Sequence, residues 1–274
     1  MLGLTLDAVQ YGTCTPDEII VVDGKSTDQT VKIAQAKKAR VIENSKVHVA
    51  AGRQIGAECA LGSIIVYTDS DCIPAVDWLE KISAYYDNDP ELVGVGGRVV
   101  LSEPRTNIQK FSAGVFETIM NFPDQPMYLT NIGMHGVFPG ANCSFRKKYV
   151  LEAGGFRDFF SNHAEEVDLV WRLIKQSKKL LFAPEIVVEH LGYPDTLKKL
   201  IKTNFNYGFA STKLAKMHIG AQVDTRIYQM LLRNLLCAAN PFCKDEWALL
   251  RTVQLSMFAS GKICSSILYR TINL

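Results

Sequence analysis

Asp69 and Asp71 stand one residue apart, in Asp69-Ser70-Asp71, directly after the apolar run Ser63-Ile64-Ile65-Val66-Tyr67-Thr68. Two carboxylates held that close repel each other unless a cation shares their charge. Hard oxygen donors suit Mg2+ or Mn2+, ions that usually arrive carrying phosphate. On its own, Asp-Ser-Asp also describes a solvated turn, since acids are common in turns. Other acids and a histidine stand at comparable places. Asp23 closes Ile19-Ile20-Val21-Val22, His190 closes Val187-Val188-Glu189, and Glu165, Glu166 and Asp168 crowd one helix start.

Strand ends are the right address for such groups, because open α/β sheets bind ligands at the carboxyl edges of their strands. Residues 63–68 read as a buried parallel strand, β-branched and nearly continuous in apolar character. Before it, Glu18–Val22 predicts a short strand, and Ser26-x-x-Gln29 is a capping box that starts a helix, with Asp28 at its positive end. A second short strand lies near Arg40-Val41-Ile42. The next helix places Val47, Ala50, Ala51, Ile55 and Cys59 on one face and stops at Gly62. This alternation predicts a parallel sheet with right-handed crossovers.

Further along, the pattern predicts a helix over 76–86, a strand over 92–101 and a helix over 163–176 that buries Val167, Val170, Trp171 and Ile174. Strands over 180–182 and 186–190 close a mixed sheet. In the helix over 163–176, Asn162-x-x-Glu165 forms a second capping box, which accounts for Glu165. Beyond Pro194 the pattern turns helical, through 196–217, 225–238 and 245–269. The domain expectation is therefore an α/β domain over 1–193 and a helical extension over 194–274.

Composition narrows the function classes. Hydrophobic residues make up 47% and charged residues 21%, as expected of a chain with a real core. The net charge is only +2, yet Thr196–Arg251 carries nine Lys/Arg against three acids. That basic tail suits an anionic membrane surface, or a helical cap on a sheet edge. Nucleic acid is excluded as a partner, because no basic stripe interleaved with aromatics is present. Seven cysteines show neither Cys-x-x-Cys nor zinc spacing with histidines, which fits unpaired cysteines in a reducing, cytoplasmic setting. Neither a signal peptide nor a clean apolar span of membrane length is expected.

Five segments together resemble family 2 glycosyltransferases, which have the GT-A fold. They are Asp17-Glu18-Ile19-Ile20-Val21-Val22-Asp23-Gly24-Lys25-Ser26-Thr27-Asp28; Gly52-Arg53-Gln54-Ile55-Gly56; Asp69-Ser70-Asp71; Gly140-Ala141-Asn142 with Phe145-Arg146; and Glu165-Glu166-Val167-Asp168-Leu169 with Arg172-Leu173. The resemblance runs from about residue 5 to about 210, in order. It implies a Rossmann-like, mostly parallel mixed sheet with flanking helices, and an inverting transfer of sugar from a UDP-, GDP- or TDP-linked donor to a hydroxyl of a saccharide or lipid-linked acceptor.

It also implies roles. Asp71, Asp69 and His190 would serve a divalent metal, Asp69 acting through water or turning to the ribose. Asp23, Ser26, Arg53, Asp69, Gly140 and Asn142 would bind the nucleotide sugar, with Arg53 offering planar, multi-donor recognition of base or diphosphate. Glu166, Glu165 and Asp168 are the catalytic candidates. At Glu166 the family usually has Asp, so the carboxylate is displaced by about one methylene, a shift that matters in such chemistry.

The family also opens with a Val/Ile strand and a turn, whereas Met1–Val9 resembles the helix that follows them. The expectation is a sheet lacking a central strand, with reduced stability and weak activity. Two competing readings are a nucleotidyltransferase, which would need a Gly-rich basic loop after the first strand, and a nucleotide-sugar-binding protein without turnover.

Overall fold

The computed structural model describes residues 1–132, 138–221, 223, 225–240 and 243–272. In chain order the elements are α1 Leu2–Gln10, β1 Ile20–Asp23, α2 Thr30–Ala36, β2 Arg40–Glu43, α3 Val49–Cys59, β3 Ile64–Tyr67, β4 Cys72–Pro74, α4 Trp78–Asn88 and β5 Leu92–Leu101. Then come α5 Asn107–Met120, β6 Met127–Tyr128, β7 Cys143–Arg146, α6 Lys147–Glu152, α7 Glu165–Lys175, β8 Lys179–His190, α8 Leu197–Leu214, α9 Thr225–Ala239 and α10 Ala248–Tyr269. They form two compact units, Met1–Glu103 with Glu117–Gly192, and Pro104–Phe116 with Tyr193–Leu274.

The first unit is α/β. β1 and β2 make a parallel pair, and a six-stranded mixed sheet runs β3-β7-β5-β8-β4 with β6 also on β8. The β5–β8 ladder is parallel, while β3–β7, β5–β7, β4–β8 and β6–β8 are antiparallel. The strand before Asp69 thus pairs antiparallel with β7, where a parallel partner was expected. Among the described residues β1 pairs only with β2 and β3 only with β7, so the two sheets are not joined by a ladder. This leaves the centre of the expected single sheet without a strand.

Apolar side chains from near-continuous buried runs of β5 and β8, with β7 and α7, fill the core. Leu92, Val95, Phe145, Leu180, Phe182 and Val188 are buried with Leu169 and Leu173. A smaller cluster of Leu6, Ala34 and Ala39 holds α1 and α2 against Ile19, Val21 and Val41. Within α7, Val170 and Trp171 are buried as the helical period predicts, together with Leu169 and Leu173, whereas Val167 and Ile174 are only half-buried.

Both capping boxes are replaced by other solutions. The Asp23 carboxylate accepts the Ser26 backbone N–H at 3.1 Å, and Asp28 accepts the Thr30 N–H at 2.9 Å, so α2 begins at Thr30. With both acids committed to these turns, Ser26 does not cap a helix. Asn162 accepts the Val49 N–H at 3.0 Å, and α7 begins after Ala164, a non-glycine in the left-handed region at φ 68°. Val47 falls outside α3, whose N-cap is His48, the imidazole accepting the Ala51 N–H at 3.2 Å.

The second unit is helical. Thr196 caps α8 through the Lys199 N–H, Phe111 packs on Trp247 with ring centroids 5.9 Å apart, and α8 continues into a π-helical turn at Ala215–Ile219. Cys237 and Cys243 are joined in a disulfide, with their Cα atoms 5.5 Å apart. That corrects the expectation that all cysteines stand unpaired. Among the described residues no helix is long and apolar enough to cross a membrane.

Candidate active site

The chain leaves β3 at Tyr67 and passes through Asp69-Ser70-Asp71 straight into β4. Two backbone bonds hold that turn, Cys72 N–H to the Asp69 carbonyl at 3.2 Å and Leu191 N–H to the Asp71 carbonyl at 2.8 Å. The β4–β8 ladder sets Cys72 opposite His190. It thereby delivers the imidazole to the carboxylates, with Nε2 3.9 Å from Asp69 Oδ2 and 3.8 Å from Asp71 Oδ1.

One donor atom each from Asp69, Asp71, Cys72 and His190 lies within 4.8 Å of the other three. These separations are too long for hydrogen bonds. They suit donors arranged around one ion with bonds of roughly 2.0–2.4 Å. His190 Nδ1 is buried without a hydrogen-bond partner, which marks the group as polar machinery rather than packing. Burial raises the Asp71 pKa, the Asp69 charge adds to the rise, and His190 opposes it. Gly192 gives this carboxylate its room, since a Cβ there would stand 1.8 Å from Asp71 Oδ2.

Arg53, on α3, connects this turn to the start of α7. Its Nη2 donates to Asp69 Oδ1 at 3.1 Å, its Nη1 donates to Glu165 Oε1 at 2.5 Å, and Glu166 Oε2 lies 3.7 Å from Nη1. The guanidinium is nearly buried, and three carboxylates raise its pKa. Gly140 is what admits it: a Cβ at 140 would fall 2.3 Å from Nη1, and the guanidinium is pinned by its acids. Glu165 is 2% exposed, with Oε2 unpartnered. Burial and then the Glu166 charge push its pKa up to about 8, against the pull of Arg53. Glu166 is more open, with its side chain 20% exposed.

The candidates thus separate into groups. Asp69, Asp71, His190, Arg53, Gly140, Glu165 and Glu166 come together. Asp23 and Ser26 form a group of their own at the end of β1. Asn142 is buried and spends its amide within the protein: Oδ1 accepts the Trp78 indole N–H at 2.9 Å, and Nδ2 donates to the Arg98 and Ile186 carbonyls at 2.9 Å each. It staples β5 to β8. Asp168 is fully buried and clamped by Arg172 at 2.7 and 2.9 Å and by Arg157 at 3.3 Å. A carboxylate so committed helps to position α7. Cys72 and Gly192 were missed. Cys72 carries a weak signal, as a donor residue next to Asp71, whereas Gly192 carries none.

Comparison with known proteins adds a match over residues 1–153 to the family described as Glycosyl transferase family 2. The chain belongs to glycosyltransferase family 2. This family 2 chain is 26% identical over 170 residues to a pre-mycofactocin glycosyltransferase of Mycobacterium tuberculosis, which covers 62% of the chain and 35% of that relative. It is 24% identical over 194 residues to the glucosyl-dolichyl phosphate glucuronosyltransferase of Haloferax volcanii, covering 64% of the chain and 58% of that relative. The chain therefore spans between about a third and three fifths of the length of these relatives. In fold it is similar to the mannosyltransferase PcManGT of Pyrobaculum calidifontis, solved with GDP-Man and Mn2+, at TM-score 0.65 and 14% identity over 95% of this chain and 81% of that one. The shared architecture is the GT-A fold.

Proposed function

We propose that the protein is an inverting glycosyltransferase, moving a sugar from a nucleoside-diphosphate donor to a hydroxyl of a glycan or lipid-linked acceptor with the help of Mg2+ or Mn2+. The observation that carries this reading is the bridge made by Arg53. One guanidinium holds Asp69, beside Asp71 and His190, and also Glu165, beside Glu166. An electrophile-stabilising group and a base are thereby fixed relative to each other, as a displacement reaction requires.

Asp71, Asp69 and His190 would hold the ion. When bound, it supplies Lewis-acid stabilisation of the charge that grows on the leaving diphosphate. Glu166 takes the proton of the acceptor hydroxyl as its oxygen attacks the anomeric carbon, a role typically worth ~10²–10⁴ in rate. Glu165, bonded to Arg53, and Asp168, clamped by two arginines, are less free to accept it. Asp23, oriented by the Ser26 N–H, receives the nucleotide base. Attack on the face opposite the leaving group inverts the anomeric centre.

The helical unit supports a lipid-linked acceptor. On α9, Leu232, Leu235 and Leu236 point outward, more than half exposed, with Arg226 and Arg233 exposed beside them. The buried side of the same helix carries Asn234, whose Oδ1 accepts from Arg251 at 3.3 Å. An apolar outer face with an arginine flank suits an anionic membrane surface.

The test is a screen of nucleotide sugars for metal-dependent release of UDP, GDP or TDP. Release that is lost in Asp71→Ala is expected. Calorimetric donor binding with no release would instead make the protein a binder.

A further inference from the structure

Cys72 is the one sulfur donor in the group. It is fully buried, at the first position of β4, and directly opposite His190 in an antiparallel ladder. Directly opposed residues send their side chains to the same face of the sheet, with Cβ atoms ~4.5–5.5 Å apart. Its Sγ accordingly joins carboxylate oxygens of Asp69 and Asp71 and an imidazole nitrogen of His190 in one group, all four atoms within 4.8 Å of one another. Mg2+ takes oxygen donors and keeps waters. A sulfur, a nitrogen and two oxygens make the mixed set favoured by four-coordinate thiophilic ions, with metal–sulfur bonds of about 2.3 Å.

We propose that Cys72 is a thiolate ligand in this group, and that the site therefore binds thiophilic ions such as Zn2+ or Co2+ ahead of Mg2+. On binding, the Cys72 S–H bond breaks, a sulfur–metal bond forms, and the proton leaves to solvent. Four protein donors complete the shell of such an ion and leave no open position for a diphosphate. Zn2+ thus competes with the cation that supports transfer and silences the site. This inference rests on the reading of Asp69, Asp71 and His190 as the metal site.

The experiment uses the whole chain and two ions. Titration with Co2+ should produce a sulfur-to-cobalt charge-transfer band in the near ultraviolet, retained in Cys264→Ser. In Cys72→Ser the band should vanish and Co2+ affinity fall by at least about tenfold. Mn2+ binding, followed by electron paramagnetic resonance in parallel, should be lost in Asp71→Ala. A Mn2+ site with no charge-transfer band on Co2+ in the wild-type chain overturns the thiolate role and leaves the metal reading standing. Absence of both Mn2+ and Co2+ binding overturns the two together. The wild-type spectrum decides even if Cys72→Ser does not fold.

Discussion

Arg53 carries three acidic partners, and its replacement tests how much of the site it holds. Arg53→Met removes the donor shared by Glu165 and Asp69, and each acceptor left unmade inside the protein costs about 1–3 kcal/mol. Urea denaturation should show that loss, and the double variant Arg53→Met/Glu165→Leu should recover most of it. Glu165 also predicts a pH dependence. Its pKa is raised in the folded chain from 4.5 to about 8, so folding favours its protonated form. The stabilisation is complete below the ordinary value and is lost as pH climbs through about 8. Melting temperature should therefore fall between about pH 5 and pH 8, and the slope should flatten in Glu165→Gln. The candidate residues were legible in the sequence, including Asp69, Asp71 and His190, which the fold brings together, and the glutamate pair. Their bonding was not, because Arg53 and Glu165 lie 112 positions apart and nothing local announces the pair.

At the level of elements, Asn142 shows how a motif residue serves the site by building the sheet. Asn142→Ala would strand the Trp78 indole N–H and two backbone carbonyls in the interior. Each stranded group costs about 1–3 kcal/mol. A drop of about 3 kcal/mol or more in unfolding free energy is expected, read as a shift in the denaturant midpoint at unchanged slope. Apolar periodicity foresaw β5 to its end residues, but it missed α5 and β4 and divided β8 into two strands. The starts of α2 and α7 were not foreseen. Asp, Asn and Ser satisfy backbone donors in several ways, and the choice among them depends on tertiary partners such as Val49 for Asn162. The antiparallel partner of β3 was hidden for a similar reason: an apolar run is the same in either kind of ladder, and β7 lies far along the chain.

Over the whole molecule, the uneven charge was visible in sequence, and the structure adds which apolar residues face outward on α9. If that face meets lipid, Leu232→Asp with Leu235→Asp should reduce co-sedimentation with vesicles rich in anionic lipid. Disulfide-linked Cys237 should remain protected from alkylation, which confirms that the helix end is intact. Sedimentation indifferent to those two changes would remove α9 as the docking element. The separation of the sheets has another result, in how the protein behaves when concentrated. Among the described residues β1 and β3 each have one edge without a ladder, and edges of that kind are templates for pairing with another chain. Colloidal stability is then the first property to suffer, ahead of the melting transition. Light scattering should grow with concentration at constant temperature, and a charge placed on the β3 edge, as in Ile64→Lys, should suppress it.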